Sequence, residues 1–437
     1  MLLLHSAGSI TLIMKQPRAF LLIIGDSIAL SIAFVATLMF GFGGSVPQET
    51  WILHARPFAL LYIVWLLIFY IFELYDVEYH RHGVQLYNKI TKALLAALLA
   101  SIAFFYIFPF FGITPRANLI INMAVFAVFF TLWRVIFSNR LAQYFHINTL
   151  IIDPKNRLTQ LKELLRDNPQ LGLGNPTSAT TIQTPLPSHV IIDSKYTPDH
   201  IIEKLLQKPI YVSDAVSTYE HYFQKVPVHL VDTEWILYHA QKKKNLFYEV
   251  FHSVFDRFVA ILLIILTLPI TILTILAILI EDGKPVFYKQ ERVGHYGKSF
   301  LLYKFRSMRT DAEKNGPQWS SGASDTRTTR VGKIIRKLHI DEIPQMINIL
   351  QGDIALVGPR AERPNFVRQL EEEIPHYKLR HIIKPGFTGW AQVKFFYARS
   401  VIDSLEKFQY DLYYIKNRNL IMDAAIMLRT AYIILKH

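Results

Sequence analysis

The sequence contains no cysteine and few charged residues. Of its 437 residues, none is Cys and 19% are Asp, Glu, Lys or Arg, against 51% hydrophobic residues. The missing thiols exclude disulfide bonds, thiolate metal sites and cysteine nucleophiles, which leaves hard oxygen ligands as the simplest way to hold a metal. A mean hydropathy of +0.24 is too high for an ordinary soluble protein. The composition therefore indicates a membrane protein, and the length predicts two or three domains.

Acidic residues are scarce relative to basic ones, which leaves a formal net charge of +13. An excess of positive charge is typical of proteins that bind nucleic acid, anionic lipid or phosphorylated substrates, and composition alone does not distinguish these partners. A cleavable signal peptide is not expected, because the first long apolar stretch, after Lys15 and Arg18, exceeds a signal h-region and lacks a small-residue cleavage site. That stretch is predicted to remain as a membrane span.

Four apolar stretches in the first third of the chain are close to the length that crosses ~30 Å of hydrocarbon. They cover residues 20–41, 57–72, 93–111 and 118–137, and predict a four-helix transmembrane region within residues 1–146. Basic residues flank these stretches on one side, at Lys15, Arg18, Arg81, Lys89, Lys92, Arg134 and Arg140, whereas the opposite loops carry only Arg56 and Arg116. The positive-inside rule then places both ends of this region in the cytoplasm.

Residues 147–241 have the pattern of a small α/β module. The run NTLIID at residues 148–153 is typical of a β-strand, and a helical pattern follows at residues 157–166. A strand followed by a helix suggests a Rossmann-like module, but the turn after Asp153 lacks the G-x-G-x-x-G glycines that let a pyrophosphate approach the backbone. The module is therefore interpreted as a degenerate, structural or dimerising spacer.

A second kind of membrane segment is predicted at residues 258–280. This apolar run contains Pro269 and has basic residues on both flanks, including Lys242, Lys284 and Lys289. A full crossing would put one basic flank outside, against the positive-inside bias. A re-entrant hairpin bent at Pro269 keeps both flanks on one side, because proline removes a backbone hydrogen bond. An ordinary kinked fifth span is the alternative.

Basic residues alternate with aromatic ones after this segment, in QERVG at residues 290–294 and YKFRSMR at residues 303–309. Arginine forks match phosphate oxygens and lysine adds a point charge, so the cluster fits phosphate binding. A solvated basic face or a surface for anionic lipid has the same pattern.

An acidic pair, Asp341 and Glu342, lies between two amphipathic helices. Apolar residues recur at helical spacing on both sides of Ile340, at Val331, Ile334, Ile335 and Leu338 and at Ile343, Met346, Ile347 and Leu350. Pro344 fits a first helical turn, which predicts Asp341 as an N-cap at the positive end of the helix dipole. Neighbouring helical residues point in different directions, so the two acids are expected to have separate roles. A cap with dipole compensation is the structural alternative to a catalytic pair.

Three blocks of sequence carry a resemblance to a known family. KQERVGHYGKSFLLYKFRSM, HIDEIPQMINILQGDIALVGPR and KPGFTGWAQVKF resemble the signature blocks of the polyprenyl-phosphate phosphoglycosyl transferases, the bacterial sugar transferase family. The match runs from about residue 251 to the C-terminus. The order of four helices, α/β spacer and apolar segment resembles the large members that initiate exopolysaccharide or O-antigen assembly. The resemblance implies a monotopic, mostly helical catalytic domain at residues 242–437, with a re-entrant helix at residues 252–282 bent at Pro269.

The resemblance also implies a covalent mechanism. Asp341 matches the nucleophile that attacks the β-phosphorus of a UDP-sugar, releases UMP and passes the sugar phosphate to polyprenyl phosphate. Glu342 matches the second acid, which either holds Mg²⁺ with Asp341 or assists the incoming phosphate. Lys304, Arg306 and Arg360 match basic positions in family motifs and are expected to bind the phosphates. Arg380, which precedes the KPG motif at residues 384–386, and Gln392 are further candidates for the nucleotide side.

Further expectations follow from the same resemblance. The enzyme is expected in the bacterial inner membrane as a multi-pass homodimer that contacts membrane lipids and no nucleic acid, with its catalytic domain on the cytoplasmic face. Residues 393–397 read VKFFY where many relatives carry an Asn-Gly-Arg type of turn, so the identity of the sugar is not assigned. Gly386 and Gly389 are interpreted either as turn makers or as structural glycines. The apolar stretch at residues 420–435 predicts either an interfacial helix or part of the core.

Three other functions compete with this interpretation. A transporter would need functional ionisable groups inside the spans, where Asp26 and Glu73 are the only acids, and it would leave half the chain without a role. A non-catalytic assembly scaffold would tolerate replacement of Asp341. A nucleotide-dependent oxidoreductase is disfavoured by the missing glycine fingerprint after Asp153.

Overall fold

The computed structural model describes most of the chain and is largely helical. It covers residues 17–72, 74–75, 84–107, 116–137, 147–168, 171, 173–182, 185–240, 246–310, 312, 327–395 and 400–436. The chain divides into two compact units, Met1–Phe223 and Gln224–His437. Several residues used in the sequence analysis lie outside the described residues, namely Lys15, Glu73, Arg81, Arg140, Lys242, Phe396 and Tyr397.

Four long apolar helices open the first unit: α1 (Pro17–Gly41), α2 (Gln48–Ile71), α3 (Val84–Ile107) and α4 (Arg116–Ile136). Each contains a stretch long and apolar enough to cross a membrane. Helix α2 begins nine residues before the predicted start at position 57, so that Pro57 lies inside the helix. Its buried ring packs within the bundle, and a single missing backbone hydrogen bond does not end a long helix whose packing stabilises it.

A buried ion pair and aromatic packing hold this bundle together. Arg134 Nη2 lies 2.6 Å from Asp26 Oδ2, and Arg134 Nη1 donates to the Leu74 carbonyl at 2.6 Å. Phe69 and Phe126 stack with ring centroids 5.7 Å apart. Arg134 is one of the basic residues predicted on a single side of the spans, and its side chain is buried against Asp26, which neutralises its charge within the bundle. Asp26 is paired with Arg134 inside the bundle, which indicates a structural role. A transporter would instead need this carboxylate to bind an ion or substrate.

The rest of the first unit contains a small parallel sheet. Its strands are β1 (Ile147–Ile152), β2 (Leu173–Ala179), β3 (His189–Ile192) and β4 (Tyr211–Asp214), in the order β2-β1-β3-β4. Helices α5 (Thr159–Asp167), α6 (Asp199–Leu206) and α7 (Ala215–Phe223) alternate with them. In the turn after β1, the Asp153 carboxylate accepts the backbone N–H groups of Arg157 and Leu158. These amides are therefore already satisfied, which supports the prediction that this turn does not bind a nucleotide phosphate.

The second unit begins with a short segment that the sequence analysis assigned to the α/β module. The Val226 N–H donates to the Gln409 carbonyl, and Val226 and Val228 belong to the core of the second unit. Helix α8 (Thr233–Ala240) follows. Sequence pattern did not place this boundary because the segment has no glycine-rich or proline-rich linker before it.

Helix α9 (Leu246–Asp282) is 37 residues long and continues through Pro269. Near its start, Asp256 accepts the Leu356 N–H at 3.2 Å and Ala260 is buried in the main core. Near its end, Ile278 packs against Phe305 and Ile335. Both ends of α9 therefore pack against other elements of the second unit. The most apolar stretch of the helix has a mean hydropathy of 2.9, and 11% of that stretch is buried.

The remaining elements pack around the main core of the second unit or around the smaller cluster of Ile278, Phe305 and Ile335. They are the hairpin strands β5 (Phe287–Val293) and β6 (Ser299–Phe305), helices α10 (Arg330–Lys337) and α11 (Gln345–Gln351), strand β7 (Ala355–Val357), helix α12 (Pro364–Glu373), strand β8 (Gly386–Thr388), and helices α13 (Trp390–Lys394), α14 (Val401–Asn417) and α15 (Leu420–Lys436). One face of α15 is buried in the main core through Met422 and Ile426, which confirms the core interpretation for that face. Ile421 and Leu428 on the other face are exposed.

Candidate active site

The acidic pair lies in a tight turn between two helices. After α10, His339 adopts a left-handed conformation with φ 55° and ψ 17°, and Ile340–Glu342 then form one turn of 3₁₀-helix. Pro344 takes the N-cap position of α11 in a helical conformation, without a side-chain cap. The predicted N-cap role of Asp341 is therefore wrong: the left-handed residue starts the helical turn early, so Asp341 lies inside it and caps nothing.

Glu342 is held by two cations. Its Oε1 atom accepts from Lys304 Nζ at 2.6 Å and from Arg360 Nη2 at 3.1 Å, and its side chain is 13% exposed. Lys304 lies in β6. Arg360 follows β7, and its backbone pairs with that of Gly386 in an isolated parallel β-bridge. Burial opposes ionisation of Glu342, but the charges of Lys304 and Arg360 outweigh it and hold its pKa below the ordinary value.

Asp341 has a different environment. It is 8% exposed, and no residue in the described part of the chain donates a hydrogen bond or forms an ion pair with its carboxylate. Burial raises the pKa of Asp341, and the nearby positive charge of Lys304 opposes the rise. The two neighbouring acids are thus chemically distinct: Glu342 is an ionised, anchored group, and Asp341 is a buried carboxylate without a partner.

The predicted phosphate-binding residues fall into two groups. Lys304 and Arg360 meet at the acidic pair, as described above. Arg306 does not: it is 6% exposed, and its Nη2 donates to the carbonyls of Asp282 and Gly283 at 2.8 and 2.9 Å. Arg306 therefore stabilises the C-terminal end of α9, because the last carbonyl groups of a helix lack partners within the helix and accept hydrogen bonds from a cationic side chain.

The two predicted nucleotide-binding residues, Arg380 and Gln392, form their hydrogen bonds away from the acidic pair. Arg380 is 5% exposed and donates to Asp411 Oδ2 and to the Arg360 carbonyl, both at 3.0 Å. Gln392 lies in α13, where its Nε2 donates to the Phe387 carbonyl at 3.3 Å. Arg380 consequently fixes the position of the Arg360 carbonyl by a hydrogen bond. Gln392 links α13 to β8 by its hydrogen bond and so stabilises the turn between them.

Sequence reasoning missed several residues around the site. Arg336 and His339 lie close enough to lower the pKa of Asp341 by their positive charge. Both immediately precede the acidic pair, in RKLHIDE, so their basic character was the available signal. Asp411, the partner of Arg380, comes from α14 and is 31 residues away along the chain, and nothing in its local pattern marks it.

Gly386 and Gly389 serve close packing, and neither has the positive φ for which a turn would require glycine. The glycines with positive φ among the described residues are Gly43, Gly44, Gly283, Gly297 and Gly352. A Cβ on Gly386 would lie 2.1 Å from the Gly358 nitrogen, and one on Gly389 would lie 2.1 Å from the Gly358 oxygen. These contacts favour the structural interpretation of both glycines, which let β8 and the residue after it approach Gly358, two residues before Arg360.

The carboxylates fit a metal that is shared with a substrate. Within the described ranges, no group of three or more His, Asp or Glu side chains is arranged to hold a metal ion. Mg²⁺ is commonly bound by one or two carboxylates together with substrate phosphates, and it prefers hard oxygen ligands. The unpaired Asp341 carboxylate and the adjacent Glu342 supply that donor type, so the site suits Mg²⁺ in a complex with a diphosphate.

The region around this site matches known proteins. Residues 247–437 match the sequence profile described as "Bacterial sugar transferase". The "UDP-N-acetylgalactosamine-undecaprenyl-phosphate N-acetylgalactosaminephosphotransferase" of Aeromonas hydrophila is 46% identical over 180 residues, which are 41% of this chain and 42% of that protein. The "UDP-glucose:undecaprenyl-phosphate glucose-1-phosphate transferase" of Escherichia coli is 35% identical over 181 residues, 40% of this chain and 38% of that protein.

A shorter relative is covered almost completely. The "Uncharacterized sugar transferase EpsL" of Bacillus subtilis is 39% identical over 176 residues, which are 40% of this chain and 83% of that protein. The similarity to the Aeromonas protein spans less than half of its length. The profile match at residues 247–437 lies within the second unit and includes Lys304, the acidic pair and Arg360. The chain therefore belongs to the bacterial sugar transferase family.

Proposed function

We propose that this chain is a membrane enzyme that transfers a sugar 1-phosphate from a UDP-sugar to polyprenyl phosphate and releases UMP. The names of the Aeromonas and Escherichia relatives describe that reaction type on undecaprenyl phosphate. The acidic pair with its two cations supports it in this chain, because a diphosphate substrate needs both a nucleophile and positive charge at one place.

The contrast between the two acids is the observation that carries the proposal. Lys304 and Arg360 both bind Glu342 Oε1, so Glu342 fixes the cations in place. Asp341 is 8% exposed and has no hydrogen-bond donor among the described residues. A carboxylate that is largely shielded from water and has no donor from the protein is more nucleophilic than a fully solvated one. Asp341 is therefore assigned as the nucleophile and Glu342 as the residue that organises the cations.

The reaction proceeds in two displacements at the same phosphorus. An Asp341 carboxylate oxygen forms a bond to the β-phosphorus of the UDP-sugar, the bond from that phosphorus to the bridging oxygen breaks, and UMP leaves with the electron pair. A phosphate oxygen of polyprenyl phosphate then attacks the aspartyl phosphosugar, and the Asp341 carboxylate is released unchanged. The product is a polyprenyl diphosphate sugar.

Positive charge from Lys304 and Arg360 offsets the negative charge that gathers on the phosphoryl oxygens. Arginine binds phosphate through a planar fork and lysine acts as a point charge, so the two residues complement each other. Mg²⁺ on the acidic pair and the diphosphate would neutralise further charge when bound. Arg306, Arg380 and Gln392 act indirectly in this scheme, through α9, Arg360 and the turn after β8.

The contacts of α9 support a re-entrant helix. Asp256 near one end and Ile278 near the other both contact the second unit. A helix that crossed the membrane completely would carry these residues to opposite faces, where one compact unit does not reach both. A helix that enters and returns keeps the catalytic unit on one side, and the basic flanks favour the cytoplasmic side of the inner membrane. The four helices α1 to α4 are proposed as spans of the same membrane.

This arrangement brings together two substrates with opposite solubilities. Polyprenyl phosphate stays in the bilayer because each buried methylene contributes ~0.8 kcal/mol, and its phosphate stays at the headgroup level. Nucleotide sugars are soluble and anionic, and a basic surface attracts them. Initiation of exopolysaccharide or O-antigen assembly is the proposed role. The homodimer implied by the family resemblance stays a prediction.

The test uses the full chain purified in detergent, with undecaprenyl phosphate, Mg²⁺ and a panel of UDP-sugars. Without the acceptor, we expect at most one UMP per chain and a labelled sugar phosphate bound to the protein. Asp341→Asn should abolish both signals, with a loss of about 10³-fold or more. Asp167→Asn, an exposed site in the first unit, is the matched control and should behave as the parent. Release of UDP, or full activity of Asp341→Asn, would contradict the proposal.

A further inference from the structure

A cavity lined by charged and apolar residues lies in the second unit, apart from the acidic pair. It has a volume of about 160 Å³ and is lined by the first turns of α9, the end of α11, β7 and the segment before β8. Its charged lining residues are Glu249, Asp256, Arg257, Lys384 and Arg418, together with His252 and His295. Asp341, Glu342, Lys304 and Arg360 are not among the residues that line it, so the proposed chemistry does not use this cavity.

Both acids of this cavity already have partners. Glu249 Oε1 lies 2.6 Å from Arg418 Nη2. Asp256 Oδ2 lies 3.1 Å from His252 Nδ1 and accepts the Leu356 N–H. Two cations remain: no carboxylate in the described part of the chain lies within ion-pair distance of Arg257 or Lys384. The cavity therefore carries positive charge that the protein itself does not neutralise.

Arg257 and Lys384 converge on Gly352, the residue that ends α11. A Cβ built there would lie 3.4 Å from Arg257 Nη2 and 3.5 Å from Lys384 Nζ. Arg257 is held in this direction by Ser253, whose Oγ and carbonyl accept from Arg257 Nη1 at 2.5 and 3.1 Å. The cavity thus presents two oriented cations side by side.

Capping of α11 does not account for these cations. The Gly352 N–H donates to the Asn348 and Ile349 carbonyls, and the Asp353 N–H donates to the Asn348 carbonyl, all at 3.0 Å. Gly352 has a φ of 84°, as expected for a helix that ends through its own backbone hydrogen bonds. The cations are thus available for an anion, and paired cations of this kind suit a phosphate group.

The exposed apolar face of α9 starts next to this cavity. Phe258 directly follows Arg257 and is 63% exposed, and Ile261 and Ile265, one and two turns further on, are also exposed. Positive charge at the end of an apolar helix face matches an amphiphile with an anionic head and a hydrocarbon chain. This match depends on the proposed membrane position of α9 and does not depend on the transfer reaction.

We infer that this cavity binds the phosphate of a membrane lipid, whose chain lies along the exposed face of α9. Two lipids share this chemistry: an anionic glycerophospholipid of the bilayer, and the polyprenyl phosphate acceptor in a position away from the acidic pair. Occupation of the cavity anchors the start of α9 at the headgroup level and so fixes the depth of the catalytic unit.

The experiment compares the full chain with Arg257→Gln/Lys384→Gln by native mass spectrometry in detergent, after equilibration with dioleoyl phosphatidylglycerol or dioleoyl phosphatidylcholine. The parent should retain phosphatidylglycerol in preference to phosphatidylcholine, and the double variant should lose that preference by about tenfold. Arg257→Lys/Lys384→Arg keeps the charges and should keep the preference. Lys378→Gln removes an exposed lysine elsewhere and is the matched control.

A second arm measures the KM for undecaprenyl phosphate and for the UDP-sugar. A loss of phosphatidylglycerol retention with unchanged KM values assigns the cavity to a bilayer lipid. A rise of about tenfold in the KM for undecaprenyl phosphate alone assigns it to the acceptor. If a folded double variant changes neither measurement, the inference is overturned. The lipid-binding arm needs no catalysis, so it remains informative even if the proposed transfer reaction fails its own test.

Discussion

Arg380 shows how a buried cation acts on the site without touching it. Its guanidinium donates to the Arg360 carbonyl, to Asp411 and to the Tyr377 hydroxyl. Burial raises the pKa of Asp411 to about 6 even with Arg380 beside it, so the aspartate depends on its partner to remain charged. Arg380 is therefore a positioning residue: it fixes the backbone from which the Arg360 side chain reaches Glu342.

Removal of Arg380 should separate stability from activity. Arg380→Met leaves Asp411 buried without its partner, and we expect a loss of about 3 kcal/mol in unfolding free energy. Arg380→Met/Asp411→Leu replaces the pair with apolar groups and should recover most of that stability. The kcat should stay low in both variants because the Arg360 carbonyl has lost its donor. Thermal unfolding and steady-state kinetics of the full chain measure the two effects, and a double variant with parental kcat would refute the positioning role.

His381, next to Arg380, predicts a dependence of stability on pH. Burial and the charge of Arg380 lower its pKa to about 3, whereas an unfolded histidine titrates near 6.5. The folded state therefore binds fewer protons, so stability is full above about pH 6.5 and is lost as the pH falls towards the folded pKa. At pH 5.5 the expected loss is on the order of 1 kcal/mol.

His381→Gln should remove that part of the acid sensitivity. The measurement is the difference in unfolding midpoint between pH 7.5 and pH 5.5, for the full chain in detergent. His200→Gln, at an exposed histidine in α6, is the control and should keep the parental difference. An unchanged difference in His381→Gln would mean that other groups account for the acid sensitivity.

At the scale of elements, apolar spacing predicted some structures and not others. The spacing of Ile335 and Met346 with their neighbours predicted α10 and α11, because an apolar helix face repeats every three to four residues. Part of each apolar face is exposed in the structure. The β5–β6 hairpin was not predicted. Most of β5 is exposed, so no alternation of apolar and polar residues marks its strands, and Lys289 instead lies 5.4 Å from the ring of Tyr303 across the hairpin.

The contact between β7 and β8 depends on glycine. Gly386→Ala would place a methyl group 2.1 Å from the Gly358 nitrogen, and backbone atoms on both sides leave no flexible group to move away. We expect a loss of more than about 3 kcal/mol and a matching loss of activity, since Arg360 follows β7 directly. Gly283→Asn is the control, because its surroundings are open and asparagine tolerates its positive φ of 66°. Comparable folding of the two variants in a thermal unfolding assay would contradict this account.

For the whole molecule, the sequence provided a set of candidate residues but not their arrangement in space. Lys304, Arg306 and Arg360 match basic positions in family motifs and Arg380 precedes one, yet Lys304 and Arg360 contact Glu342 and the other two do not. The contacts of Glu342 join residues 38 and 18 positions apart. Sequence spacing does not reveal which arginines become buried against carbonyl groups, since that depends on where α9 and α14 end or pack. The roles of Arg306 and Arg380 therefore needed the structure.

The absence of cysteine in the chain allows a direct test of the membrane arrangement. Single cysteines at Tyr238 and Lys289, two exposed positions before and after α9, report the side reached by each of its ends. Ser45→Cys reports the connection between α1 and α2, which the positive-inside rule places outside. With a membrane-impermeant maleimide, intact spheroplasts should label the cysteine at position 45 alone, and inverted vesicles should label the other two. If the cysteine at position 289 reacts from the outside while that at position 238 reacts from the inside, α9 crosses the membrane. In that case the catalytic unit cannot hold both ends of α9 on one face, because the two ends would be separated by ~30 Å of hydrocarbon.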